Sequence, residues 1–430
     1  MFLKRIINKL FSTWPAEVPR LYPDVNDLQL AQFLSEAEYE RIKSFDNVYV
    51  LPFISEESDP EQSRFGMGLS RLMIRNLMLL NDVSIHGPED TPMIAIESME
   101  ELVAENPRKK STYVTGIANF GSRGYVLNLE VHRPDRTPVK SSVQHADFHE
   151  FLRACSQTIA REIGSNSQTT VADAWTTGQP KDVQSLQRCG ELCLDYNPYD
   201  PAESLAMSSA ALQAMKEDPD FVVPMWNTDD ETPGIRDIFF RALQRDPNNA
   251  QLCFSTFCRV WHSRGPQPEA MQFTRKAIEL SPGHGKAHMC APHTAHPEAN
   301  MLWHSELGYR LLPGNPFAVN NFTIYLREHA APPQKLIDLA EEGIAYDPCD
   351  AGNYYQLIDF YTELRNDQAA LEVAERLQEF FEPEMNERTL YCLKQNPERA
   401  RMIETGEFDP VAENRKVIAQ LREKITRANR

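Results

Sequence analysis

The sequence predicts an α+β multidomain protein: a small α/β N-terminal domain in βαβαβββα order, followed by an all-α stack of helix pairs. Three observations carry this. Segments alternating apolar and polar residues at period two are confined to residues 47–145. From residue 181 onward the chain reads as helices whose ends recur with a Pro-containing signal. With 430 residues there is length for two or three domains, and the 41% hydrophobic and 25% charged content is ordinary for globular chains.

Residues 1–15, "MFLKRIINKLFSTWP", read as a basic amphipathic helix stopped by Pro15. Leu3, Ile7 and Trp14 lie on its apolar face, and Lys4, Arg5 and Lys9 on the other. This pattern suits an anionic membrane surface or a partner groove, and equally a helix docked on its own chain. It lacks a signal-peptide cleavage site, and no run approaches a membrane span. Residues 16–45 form a linker passing into a charged helix. Within 46–164, "NVYVLPF" is a buried strand, residues 59–80 a helix, "VSIHG" a strand and 96–107 a helix closed by Pro107. Three alternating strands follow from Ser111, joined at Gly121–Gly124 and "RPDRTP", and then a helix capped by Asp147 and stopped by Gly164.

"VYVLPFISEESDPEQSRFGMGLSRLM", "YVTGIANFGSRGYVLNLEVHRP" and a helix ending "IAREIG" resemble the TolB-amino-terminal-like domain of bacterial signalling proteins. Leu51-Pro52-Phe53, Asp59-Pro60-Glu61, Gly68-Leu69 and Gly116 match that pattern, whereas Met67 stands where Asp is usual. The resemblance implies a non-catalytic module that senses or docks, often preceding helical repeats. The Gly66-x-Gly68 is not a dinucleotide fingerprint. A long acidic turn separates it from the strand, Arg71 replaces the third glycine, and Glu56, Glu57, Asp59 and Glu61 would repel a pyrophosphate. These glycines are expected to let the start of the helix pack closely against the sheet.

After the polar linker 165–180, residues 181–408 repeat a helix-ending signal at Pro219, Pro247, Pro282, Pro316, Pro348 and Pro383. The spacings of 28, 35, 34, 32 and 35 residues bracket the tetratricopeptide period of about 34. Residues 251–282 resemble a tetratricopeptide repeat closely, with Phe254, Phe257, Cys258 and Trp261 as the first-helix stripe and Ala270 and Ala277 as small crossing contacts. Residues 351–383 repeat the scheme with Tyr354, Leu357, Ile358, Tyr361, Ala370 and Ala374. Such pairs must stack to bury their apolar faces, so a superhelix is expected. Residues 409–430 form a capping helix with Asp409 as N-cap. Its face of Arg415, Lys416, Arg422, Lys424 and Arg427 is either solvated or open to an anionic partner.

The net charge of −18 argues against sequence-independent nucleic-acid binding. Residues 166–430 carry 26 basic against 39 acidic side chains, which favours basic peptides as partners. The eight cysteines are too scattered for a disulfide framework and read as free thiols in a reducing cytoplasm. His284, His288, Cys290, His293 and His296 are weak metal candidates, since two prolines interrupt the segment and no finger or His-Glu-x-x-His spacing occurs. A polar insertion in a degenerate repeat is the simpler reading. No P-loop, nucleophile elbow or Cys-x-x-Cys is present, so neither an enzyme nor a cofactor is expected.

The resemblance to tetratricopeptide arrays implies a groove lined by first helices, here Ser255, Arg259, His262, Asn321, Tyr325, Tyr355 and Asp359, with Leu252, Glu328 and Gly352 at the flanking positions. The expectation is a cytoplasmic protein–protein interaction adaptor, plausible in bacterial signalling or regulation, holding a partner segment in that groove. The alternatives are a membrane-peripheral assembly factor held by residues 1–14 and a metal-dependent enzyme using His284–His304.

Overall fold

A computed structural model describes residues 21–22, 34–55, 59–90, 111–134, 136–167, 175–194, 201–223, 235–264, 270–291, 301–382, 390, 393 and 397–428. The N-terminal amphipathic helix and the expected helix at 96–107 lie outside these residues. The chain divides into two compact units, with the boundary between Pro313 and Gly314.

In the first unit, α1 (Glu36–Lys43) begins with a capping box formed by Ser35 and Glu38. It is followed by β1 (Asp46–Val50), α2 (Pro60–Leu77), β2 (Val83–His86), β3 (Ser111–Gly121), β4 (Gly124–His132), β5 (Val139–His145) and α3 (Phe148–Glu162). Asp59 and Asp147 cap α2 and α3 by accepting main-chain N–H bonds, and Gly164 takes φ +83° just past α3. The five strands form one mixed sheet in the order β2-β1-β3-β4-β5. β1 runs parallel to β2 and β3, and β3, β4 and β5 form an antiparallel meander. Phe65 of α2 and Phe148 and Phe151 of α3 meet Tyr125 of β4 in an aromatic cluster. Tyr49 stacks between its register partners His86 and Tyr113 at 4.8 and 5.2 Å.

The same unit continues through α4 (Val183–Leu194), α5 (Pro201–Glu217), α6 (Ile235–Arg245), α7 (Ala250–Arg264), α8 (Met271–Leu280), α9 (Gly285–Cys290) and α10 (Met301–Leu311). The sheet does not stand apart from these helices. On its β1–β2 side, Ser84 Oγ donates to Gly283 O at 2.5 Å, Asn47 Nδ2 to Arg310 O at 3.2 Å and Tyr49 Oη to Pro313 O at 3.4 Å. Tyr39 of α1 stacks on Trp303 at 4.9 Å and donates to Glu306 at 2.6 Å. Within the stretch read as a linker, Trp175 is buried and donates its indole N–H to Asn76 O at 2.7 Å. An indole that finds both an apolar seat and an acceptor anchors a segment that composition alone marks as a spacer.

The Gly-x-Gly of α2 serves backbone packing, as expected for one glycine and differently for the other. A Cβ on Gly66 would lie 2.4 Å from Phe53 O, against the chain leaving β1. A Cβ on Gly68 would lie 2.0 Å from Leu186 O, so this glycine faces α4 rather than the sheet.

The second unit holds α11 (Pro316–Glu328), α12 (Pro333–Tyr346), α13 (Ala351–Glu363), α14 (Asp367–Phe381), α15 (Pro397–Glu404) and α16 (Pro410–Ala428). The helices form two hairpins, α11–α12 and α13–α14, with α12 packed against α13 and α11 also touching α13. Ala370 and Ala374 are fully buried, as the crossing requires. α16 packs on α14. Asp409 caps it through Val411 N and Ala412 N, and Asn414 Nδ2 donates to Ala374 O at 2.9 Å. Its basic face is occupied: Arg415 pairs with Glu382, Arg422 with Glu375 and Lys424 with Asp367 at 2.6, 2.6 and 2.7 Å. Lys416 pairs with Glu413 and Arg427 with Glu423 on α16 itself. These pairs favour the solvated cap over an open anion-binding face. Among the described residues, no helix is long and apolar enough to cross a membrane.

Candidate functional site

The first helices of the two second-unit hairpins lie side by side because polar side chains pin them. Asn315 caps α11 and Asp350 caps α13, each accepting a main-chain N–H. Asn353 Nδ2 then donates to Pro316 O at 3.3 Å and Gln356 Nε2 to Asn320 O at 3.0 Å, fixing the register of α13 on α11. Gly352 lies at this contact, where a Cβ would sit 2.8 Å from the tip of the Asn320 side chain.

Toward their C-terminal ends the two helices leave a cavity of about 410 Å³ lined by Ile324, Arg327, Glu328, Gln356 and Phe360. Ile324 is 38% exposed, uncommon for an isoleucine in a packed helix pair. Arg327 bridges the walls, with its guanidinium over the Phe360 ring at 5.4 Å, Nη1 3.8 Å from Asp359 Oδ2 and Nη2 paired with Glu363. Glu328, Asp359 and Glu363 outnumber that cation three to one. Partial desolvation raises the carboxyl of the largely exposed Asp359 above its ordinary range; Arg327 opposes this shift and Glu363 adds to it. Gln356 Oε1 is buried without a hydrogen-bond partner among the described residues. The site therefore offers an apolar floor, an acidic rim and an amide acceptor.

The residues named from the sequence fall around this cavity unevenly. Asn321, Tyr325, Tyr355 and Asp359 lie on α11 and α13, with Asp359 exposed beside Arg327 and Tyr325 only 7% exposed. Ser255 and Arg259 belong to α7 of the first unit, where Arg259 lies over the Phe239 ring at 4.6 Å. The His262 side chain lies outside the described residues. Ile324, Arg327, Gln356 and Phe360 were not expected. They flank the counted positions by one residue, and the isoleucine on a polar face was the available signal.

The histidine segment is not a polar insertion in what is described of it. His284, His288 and His304 are buried, whereas His293 and His296 lie outside the described residues. His288 Nε2 is 2.9 Å from Pro282 O, a carbonyl that can only accept, so Nε2 carries the proton. His288 Nδ1 therefore accepts from His304 Nδ1–H at 2.8 Å. His284 Nδ1 accepts from Ala287 N and caps α9. Both nitrogens of His288 are thus engaged, and no three His, Cys, Asp or Glu among the described residues form a metal-binding group. The seven described cysteines are free thiols.

Burial lowers the pKa of His284 to about 3, with the charges of Lys286, His288 and His86 adding to it, and that of His288 to about 4. His304 is lowered as well, by burial and the His288 charge. The unfolded chain therefore takes up protons first, starting near the ordinary value of about 6.5. Stability is fully present above that pH and is lost as pH falls toward the folded-state values. The urea midpoint is expected to drop between pH 7.5 and pH 5.0. His284→Asn, which keeps a capping acceptor, should drop less. Equal drops would contradict the assignment.

No family model matches the sequence, and no curated protein does. Among solved structures, one described as a human IFIT1 dimer with m7Gppp-AAAA is similar over 65% of this chain and 76% of that chain, at 11% identity and a TM-score of 0.34. Similarity of that order carries no argument about this chain.

Proposed function

We propose that the protein is a non-catalytic adaptor that holds a partner segment against the first helices of its repeats. The observation that supports this most is the α11–α13 cavity, where exposed Ile324 meets the buried acceptor of Gln356. Peptide recognition on a helical surface needs these parts: an apolar seat for an anchor, and a fixed polar group to set register. The acidic surplus at the rim selects segments carrying Lys or Arg beside an apolar anchor. In this reading the helix pairs form a tetratricopeptide-like superhelix. The sheet module, which resembles the TolB-amino-terminal-like domain, supplies a second docking or sensing surface. The setting is cytoplasmic signalling or regulation, in a bacterium.

Selection of peptides from a displayed random library on the full-length protein tests this. Enriched sequences should pair an apolar residue with a basic one, and Ile324→Glu should weaken their binding at least about tenfold, on the order of 1.4 kcal/mol. Peptides that bind Ile324→Glu as tightly as the wild-type chain would overturn the proposal.

A further inference from the structure

The first unit already holds a sequence-remote stretch of its own chain, Leu21–Tyr22, on one of its helix hairpins. Leu21 N and Tyr22 N both donate to Gln272 Oε1, at 3.0 and 3.3 Å, across more than 200 residues of chain. One side-chain carbonyl thus captures two consecutive main-chain N–H groups, a contact that reads backbone rather than side chain. The Tyr22 ring meets Phe273 edge-on at 6.2 Å, and Lys276 Nζ lies 5.6 Å from the ring centre. At the far end, Tyr22 Oη is 3.3 Å from Cys253 Sγ on α7. Gln272 is only 7% exposed and Cys253 fully buried, so both polar atoms depend on the segment for part of their cover.

We propose that the α7–α8 hairpin is a receptor for a segment bearing a tyrosine, and that Leu21–Tyr22 is its resident, exchangeable occupant. Tyr22 itself remains partly exposed. Among the described residues its contact consists of side-chain capture and ring packing, with no main-chain to main-chain bond to the hairpin. Tethering on the same chain gives the resident segment a high effective concentration, so a partner segment of the same chemistry binds only when the resident leaves. The N-terminal segment is then an intramolecular competitor for this surface. The proposal is independent of the α11–α13 groove.

The test is the rate of alkylation at Cys253 in the full-length protein, read residue by residue by mass spectrometry. In Tyr22→Ala, Cys253 should react at least about tenfold faster than in wild type, as expected when the ring and hydroxyl that lie against it are lost. A synthetic peptide of residues 16–27 should restore its protection, and the same peptide with Tyr22→Ala should not. Cys155, fully buried beneath the sheet, should stay unreactive and so report an intact fold. If Tyr22→Ala also exposes Cys155, Gln272→Met replaces it, because it keeps side-chain volume and removes the acceptor. Cys253 should again react faster there, and the peptide should now fail to protect it. Unchanged Cys253 reactivity in the folded variant would overturn the proposal. So would acceleration in Tyr22→Ala that the peptide does not reverse, since Tyr22 would then be a fixed part of the core.

Discussion

Arg75→Ala is expected to destabilise the first unit by about 3–5 kcal/mol, the cost of leaving one partner of a buried ion pair alone. Arg75 on α2 and Asp246 at the end of α6 are both fully buried, with Nη2 2.5 Å from Oδ1 and Nε 3.3 Å from Oδ2. Arg75 Nη1 also donates to Asn76 Oδ1 at 2.9 Å, and Asn249 Nδ2 donates to Asp246 Oδ2 at 3.0 Å. Removal of the guanidinium strands a carboxylate away from water, where its desolvation is no longer offset. Arg75→Met combined with Asp246→Leu removes both charges and should recover most of the loss. Urea unfolding of the wild type and the two variants measures this. A loss below about 1 kcal/mol for Arg75→Ala would mean that water reaches the pair in solution. The pair ties α2 of the sheet module to the end of α6.

Gly190→Ala is the second large effect, at about 3 kcal/mol. A Cβ there would lie 1.8 Å from Arg64 O and 2.8 Å from Gly68 N. Both neighbours are backbone of α2, so no side-chain rotation relieves the clash and the helices must separate. Gly68→Ala meets α4 from the other side, at 2.0 Å from Leu186 O, and should cost a similar amount. Because the two substitutions force the same separation, their combination should cost less than the sum. Gly121→Ala, with nothing within 4 Å of its Cβ, is the control and should stay within about 0.5 kcal/mol of wild type. Thermal denaturation of the four variants gives the ordering. Equal midpoints would contradict the helix crossing.

Local features of this fold were readable because local chemistry determines them. The period-two segments became β3, β4 and β5, and Asp147 and Asp409 cap the helices they precede. Ala270, Ala277, Ala370 and Ala374 are buried at helix crossings because only small residues fit there. The features that escaped reading depend on residues far apart in sequence. Asp246 looked like part of a helix-ending Asp-Pro signal, and nothing local indicates an arginine 171 residues earlier. Gly68 faces α4, an element that begins more than a hundred residues later. The cavity lining lies one residue away from the counted positions because the lining of a helix pair depends on how the helices roll, which the counted repeat does not specify. The histidines read as a polar insertion because their pairing, His288 to His304, closes only when α9 and α10 pack.

The central claim is that a partner segment lies against the α11–α13 cavity. A photo-crosslinking amino acid placed at position 324, on the cavity wall, tests it in cells that make the full-length protein, with position 338 on α12 as the comparison. Asp338 is exposed but does not line the cavity. The account predicts a discrete adduct from position 324 that is absent from position 338, with the crosslinked partner peptide carrying a basic residue beside an apolar one. Adducts of equal yield from both positions, or from position 338 alone, would contradict it.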